Sequence, residues 1–166
     1  MSKVKNKSTI LFVFYSALSL LFTGFVHAAD IPDTLRKSVD DAIAKVKPSL
    51  VRIFVVSAEY SEGREVKYES AGSGVIITKQ GHIITNHHVA GHATRLVCTL
   101  ENKEEVDAEL IGTDPLADIS IIKIKSDGKQ NYPVVQFGDS SKVKVGDNVL
   151  AMGSPMALSQ SVTLGI

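Results

Sequence analysis

From Leu50 to Lys125 the chain is a succession of short β-branched runs, with turn signals and no long helical pattern between them. The runs fall at residues 50–57, 65–78, 82–85, 94–100, 106–112 and 119–125, the second expected to break at Gly72 or Gly74. Glu62-Gly63, Gln80-Gly81, Glu101-Asn102-Lys103 and Asp114-Pro115 supply the turns. Parallel strands need crossovers of a dozen or more residues, usually helical, and the spacing leaves no room for them. The pattern therefore predicts a mainly β fold, an antiparallel barrel or sandwich.

The flanks differ. Residues 30–47 carry the one good helical pattern: Pro32 and Asp33 open it, and Leu35, Val39, Ala42, Ile43 and Val46 recur at helical spacing until Pro48 ends it. Residues 127–131 look like a loop and 137–141 like a turn, so this stretch is expected to be a connector. Residues 148–152 and 161–164, joined through Gly153-Ser154-Pro155, would then begin a second sheet. Its apolar face and strand edges are expected to lack partners, leaving the tail from about Gly146 poorly packed.

At the start, Lys3, Lys5 and Lys7 precede a mostly apolar, uncharged run from Ile10 to Phe25, and Val26-His27-Ala28 offers small residues where a signal peptidase needs them. Residues 1–28 are expected to be a secretory signal, and the membrane enters only if that segment is retained as an anchor. Its removal takes three lysines and no acid from a chain with 18 basic and 18 acidic side chains, so about −3 remains. No basic patch argues for nucleic acid. The single cysteine, Cys98, excludes an internal disulfide and alternates with its neighbours as a small buried hydrophobe would.

Two positions could carry chemistry. His88, in Thr85-Asn86-His87-His88-Val89, lies where an apolar strand ends, and Asp118 lies where another begins. A general base needs a neutral imidazole oriented through its other ring nitrogen, and a carboxylate can supply that partner. A charge entering an apolar strand also needs a partner to offset its desolvation. Metal binding is the rival, since His82, His87, His88 and His92 lie close along the chain, but no cysteine is near. The plainer expectation for His82, His87 and His92 is surface or half-buried polar side chains, and no metal site is expected.

The stretch Ala71-Gly72-Ser73-Gly74-Val75-Ile76-Ile77, followed by His82-Ile83-Ile84-Thr85-Asn86-His87-His88-Val89, resembles the signature around the catalytic histidine of the HtrA/Deg family of exported trypsin-like serine proteases. Gly112-Thr113-Asp114-Pro115-Leu116-Ala117-Asp118-Ile119-Ser120 is similar to the family's catalytic-aspartate segment. Val145-Gly146-Asp147 and Ala151-Met152-Gly153-Ser154-Pro155 resemble its entry into a second barrel. The resemblance implies a chymotrypsin-like fold: an N-terminal helix over 29–48, a first six-stranded barrel over 49–141 and an incomplete second barrel from 142 to 166. It implies His88 as catalytic base and Asp118 as its partner, with no cofactor. It also implies periplasmic quality control, with unfolded or misfolded proteins as substrates and possible homo-oligomers.

One element of the pattern has no match. The family's serine lies in a Gly-Asn/Asp-Ser-Gly-Gly run, which these 166 residues do not contain. Ser73 precedes the histidine, and neither Ser154, with a glycine on one side only, nor Ser159 has the glycines on both sides that a sharp nucleophile turn needs. The chain is therefore expected to be a truncated protease, inactive alone. The alternative is a non-catalytic remnant that binds peptides or a partner.

Overall fold

The computed structural model describes residues 32–61, 63–153 and 161–166. The signal expected at 1–28 and the serines at 154 and 159 lie outside them.

Helix α1 spans Asp33–Val46 and runs into a short 3₁₀ turn, Lys47–Ser49. None of its residues is fully buried, and the five apolar positions read from the sequence are its half-buried stripe. Six strands follow: β1 (Leu50–Ser61), β2 (Arg64–Ile76), β3 (His82–Thr85), β4 (Ala93–Thr99), β5 (Glu105–Asp114) and β6 (Ile119–Ile124). They close into an antiparallel barrel in the order β1-β2-β3-β6-β5-β4. A single helical turn, α2 (His87–Ala90), sits between β3 and β4.

Closure follows from the alternation. Val51, Ile53 and Val55 are buried while Arg52, Phe54 and Val56 are not, as period two requires. Ile53 faces Cys98 and Val55 faces Leu96 across β1 and β4. Ile83 pairs with Ile122 across β3 and β6, and both are fully buried. Cys98 is enclosed among these residues, and burial pushes its thiol up to about 12, so it remains an inert apolar filler.

Three expectations are revised. Strand β2 does not break at Gly72 or Gly74 and ends at Ile76, not Thr78. The glycines instead thin the strand where neighbours approach. A Cβ at Gly74 would lie 2.6 Å from Ile83 Cγ2, and one at Gly72 would lie 2.7 Å from Val89 Cγ2 of α2. Strands β1 and β5 run on to Ser61 and Asp114, because each keeps pairing with its neighbour beyond its last apolar residue. The connector after β6 also does more than connect. Tyr132 is buried with the barrel core, and its N–H donates to the Lys79 carbonyl at 3.1 Å. A lone aromatic in a polar stretch gives no periodic signal, so the sequence hides this plug.

Beyond a 3₁₀ turn at Ser140–Lys142, strands β7 (Val149–Gly153) and β8 (Ser161–Gly165) form a two-stranded sheet. Among the described residues they pair only with each other, and Val149, Val162 and Leu164 are exposed.

Candidate active site

His88 and Asp118 meet at one end of the barrel. Strand β3 ends at Thr85, whose hydroxyl donates to the Ser73 carbonyl at 2.8 Å and ties the strand to β2. Asn86 turns the chain, and His88 is the second residue of α2. On the other side, Asp114 makes the turn out of β5: its Oδ1 accepts from the N–H groups of Leu116 and Ala117 at 2.9 and 3.3 Å. That turn delivers Asp118 at φ 52°, in the left-handed region. Aspartate is among the few non-glycine residues that enter it readily.

Four hydrogen bonds hold Asp118 there. Its Oδ1 accepts from the His88 main-chain N–H at 2.9 Å, and its Oδ2 lies 2.8 Å from His88 Nδ1. Asn86 Nδ2 donates to the Asp118 carbonyl at 3.1 Å and to Oδ2 at 3.2 Å. An ionised carboxylate only accepts, so the proton of a neutral His88 lies on Nδ1 and the Nε2 lone pair is left available. The side chains are 69% (His88) and 45% (Asp118) exposed, so the pair sits on an open face.

The Asp118 carboxyl is held below its ordinary 3.8, first by the main-chain N–H of His88, then by the His88 ring, with a smaller contribution from Asn86. A carboxyl lowered in the folded state contributes stability above its unfolded value, and that contribution disappears as pH falls through the folded value. The Asp139 carboxyl, lowered by the Ser141 hydroxyl and N–H, acts in the same direction. The parent and Asp118→Asn should therefore differ in urea midpoint above pH 3.8 and converge at lower pH. A difference independent of pH would contradict this linkage.

The histidines separate. His82 lies at the other end of β3, with Nδ1 2.7 Å from Thr78 Oγ1. His87 and His92 are near neighbours, ring centroids 5.1 Å apart and edge to face at 74°. Among the described residues no three His, Cys, Asp or Glu side chains are placed to hold a metal ion. Ser73 lies in β2, beside the β3 end and Gly153.

Asn86 lies inside the motif around His88, but nothing in its spacing marks a role. Its two bonds to Asp118 depend on the turn between β3 and α2, which no periodicity reveals. His87 is half-buried, within the expectation for it, and its ring is bonded to Thr113.

Residues 72–166 match the model of the trypsin-like peptidase domain family. The chain is 46% identical over 103 residues to a probable periplasmic serine endoprotease DegP-like from Pseudomonas putida, a match covering 62% of this chain and 21% of that protein. It is 34% identical over 132 residues to the serine endoprotease DegS of Haemophilus influenzae, covering 78% of this chain and 38% of that one. Among solved structures it resembles the HtrA-type protease AlgW with tripeptide, with a TM-score of 0.66 at 30% identity, over 76% of this chain and 38% of that chain. The chain thus spans between a fifth and two fifths of the curated relatives named here.

Proposed function

Since the chain belongs to the trypsin-like peptidases, in their HtrA/DegP-like branch, we propose that it carries the base and the orienting carboxylate of a serine endopeptidase acting on unfolded proteins in the periplasm. The observation that carries this reading is the double grip of Asp118 on His88, at the main-chain N–H and at Nδ1, which leaves the Nε2 lone pair available as a base. In the reaction, Nε2 would take the serine proton as the hydroxyl attacks the peptide carbonyl, then return it to the leaving amine. Asp118 would fix the tautomer and stabilise the imidazolium.

The reading assigns the nucleophile to no residue of this chain, because no Gly-Asn/Asp-Ser-Gly-Gly run occurs in it. The oxyanion-hole amides, each worth roughly 3–4 kcal/mol of transition-state stabilisation, are assigned to a second barrel. The purified chain should therefore leave unfolded casein intact. Cleavage that His88→Ala abolishes would show that a nucleophile is present after all. The DegP-like relative is named as periplasmic, and AlgW was solved with a peptide; both support the proposed compartment and substrate class.

A non-catalytic role in binding a partner draws on the exposed Val149, Val162 and Leu164 of the β7–β8 sheet. Joining the chain to the following segment of a DegP-like relative separates the two readings. Gain of casein cleavage that requires His88 supports the protease. A folded fusion with no cleavage, or with cleavage indifferent to His88→Ala, overturns it.

A further inference from the structure

We propose that His87 is a positioning residue, whose ring ties the turn carrying His88, through Thr113 of β5, to the strand that receives the chain after Asp118. This rests on the assignment of His88 and Asp118 as a base and its orienter.

That pair needs an outside constraint. Both partners are substantially exposed, and exposed ion pairs hold their geometry weakly. They also stand on separate elements, α2 and the turn between β5 and β6. Two side chains span that gap besides His88 itself. Asn86 reaches Asp118 directly. His87 reaches past it: Nδ1 lies 2.7 Å from Thr113 Oγ1. The Thr113 hydroxyl donates to the carbonyl of Ile119, the residue after Asp118, at 3.2 Å, and lies 2.7 Å from Ser120 Oγ. Ser120 is fully buried. Through Thr113 of β5, the His87 contact therefore links α2 to Ser120, a core-anchored point two residues beyond the carboxylate.

The protons can be placed. Thr113 has one, and with it on the Ile119 carbonyl its oxygen accepts from Ser120 and from His87. His87 then carries hydrogen on Nδ1, which holds for the neutral ring and for the imidazolium alike. The ring is also confined. A Cβ at position 91 would collide with His87 Nδ1, so Gly91 leaves the space the ring fills, and His92 closes against it edge to face. A polar side chain without a role would need neither the clearance nor the buried anchor.

The test is nuclear magnetic resonance on the full chain, following the carboxyl-carbon titration of Asp118 and the Nδ1 proton of His88. In His87→Ala the Asp118 midpoint should rise toward the ordinary carboxylate value, and the His88 Nδ1 proton should be lost to solvent exchange. His87→Asn should keep both signals as in the parent, because its amide N–H can occupy the place of Nδ1–H. Thr113→Val, which keeps the ring and removes its acceptor, should match His87→Ala. The methyl resonances of Ile83 and Ile122 report whether the barrel is intact; if His87→Ala unfolds it, Thr113→Val decides. Parent-like titration and Nδ1 signal in folded His87→Ala, or in Thr113→Val, would overturn the proposal. Neither readout depends on peptide cleavage, so the result stands apart from the fate of the protease reading.

Discussion

In a fusion of this chain to the following segment of a DegP-like relative, Asp118→Asn will lower kcat on casein by roughly 10⁴-fold. The size follows from how the carboxylate is held. Oδ1 accepts from the His88 main-chain N–H, and that bond keeps the amide oxygen of an asparagine at the same place. The amide nitrogen must then occupy the Oδ2 position, where it meets both His88 Nδ1 and the donating Asn86 Nδ2. A donor facing Nδ1 forces that nitrogen to accept, so the neutral ring carries its proton on Nε2. The serine hydroxyl would then find no lone pair to receive its proton. His88→Ala removes the proposed base altogether and should cost more, on the order of 10⁶-fold. Initial rates on saturating labelled casein would settle both. An Asp118→Asn fusion within tenfold of the parent would show that this carboxylate does not set the tautomer.

The second large effect concerns stability. Ile122→Ala should destabilise the chain by about 2–5 kcal/mol, through lost transfer energy and the cavity left behind. Ile122 is fully buried and lies on β6, directly opposite Ile83 of β3. A barrel offers little freedom for local collapse, because each strand is paired on both sides. The loss is a large share of the roughly 5–15 kcal/mol that holds such a domain together. Ile111 provides the control. It sits in the register shift between Leu110 and Gly112 and is 53% exposed, so Ile111→Ala should change stability by no more than about 0.5 kcal/mol. Urea unfolding of the two variants would show the contrast. Equal effects would mean that β3 and β6 do not form the central pair described here. The same pair carries Thr85 and Ser120 at its end, from which His88 and Asp118 extend, so the site's placement is inherited from this core.

Much of this was legible beforehand, for identifiable reasons. The alternation through Val51, Ile53 and Val55 leaves one face apolar, and a one-residue slip would expose it; the strands could hardly pair otherwise. His88 and Asp118 were visible because each stands where an apolar run meets a turn. Tyr132 was hidden because it reaches the core from an irregular segment with no repeating pattern. A break at Gly72 or Gly74 is the natural expectation because a missing side chain looks the same in one dimension whether the chain bends or another element presses against it. Val89 and Ile83 supply the pressure.

By itself the sequence determined six strands, their inward faces and the two polar residues at the barrel's rim, since strand period and turn chemistry are local properties of neighbouring residues. Tertiary structure alone decided that Asp118 enters the left-handed region, that one of its oxygens meets a main-chain N–H while the other meets a ring, and that Asn86, His87 and Thr113 brace the pair. Those contacts join residues about 30 positions apart, and hydrogen bonds of 2.7 to 3.2 Å tolerate so little displacement that only the closed barrel's register can bring the partners within reach.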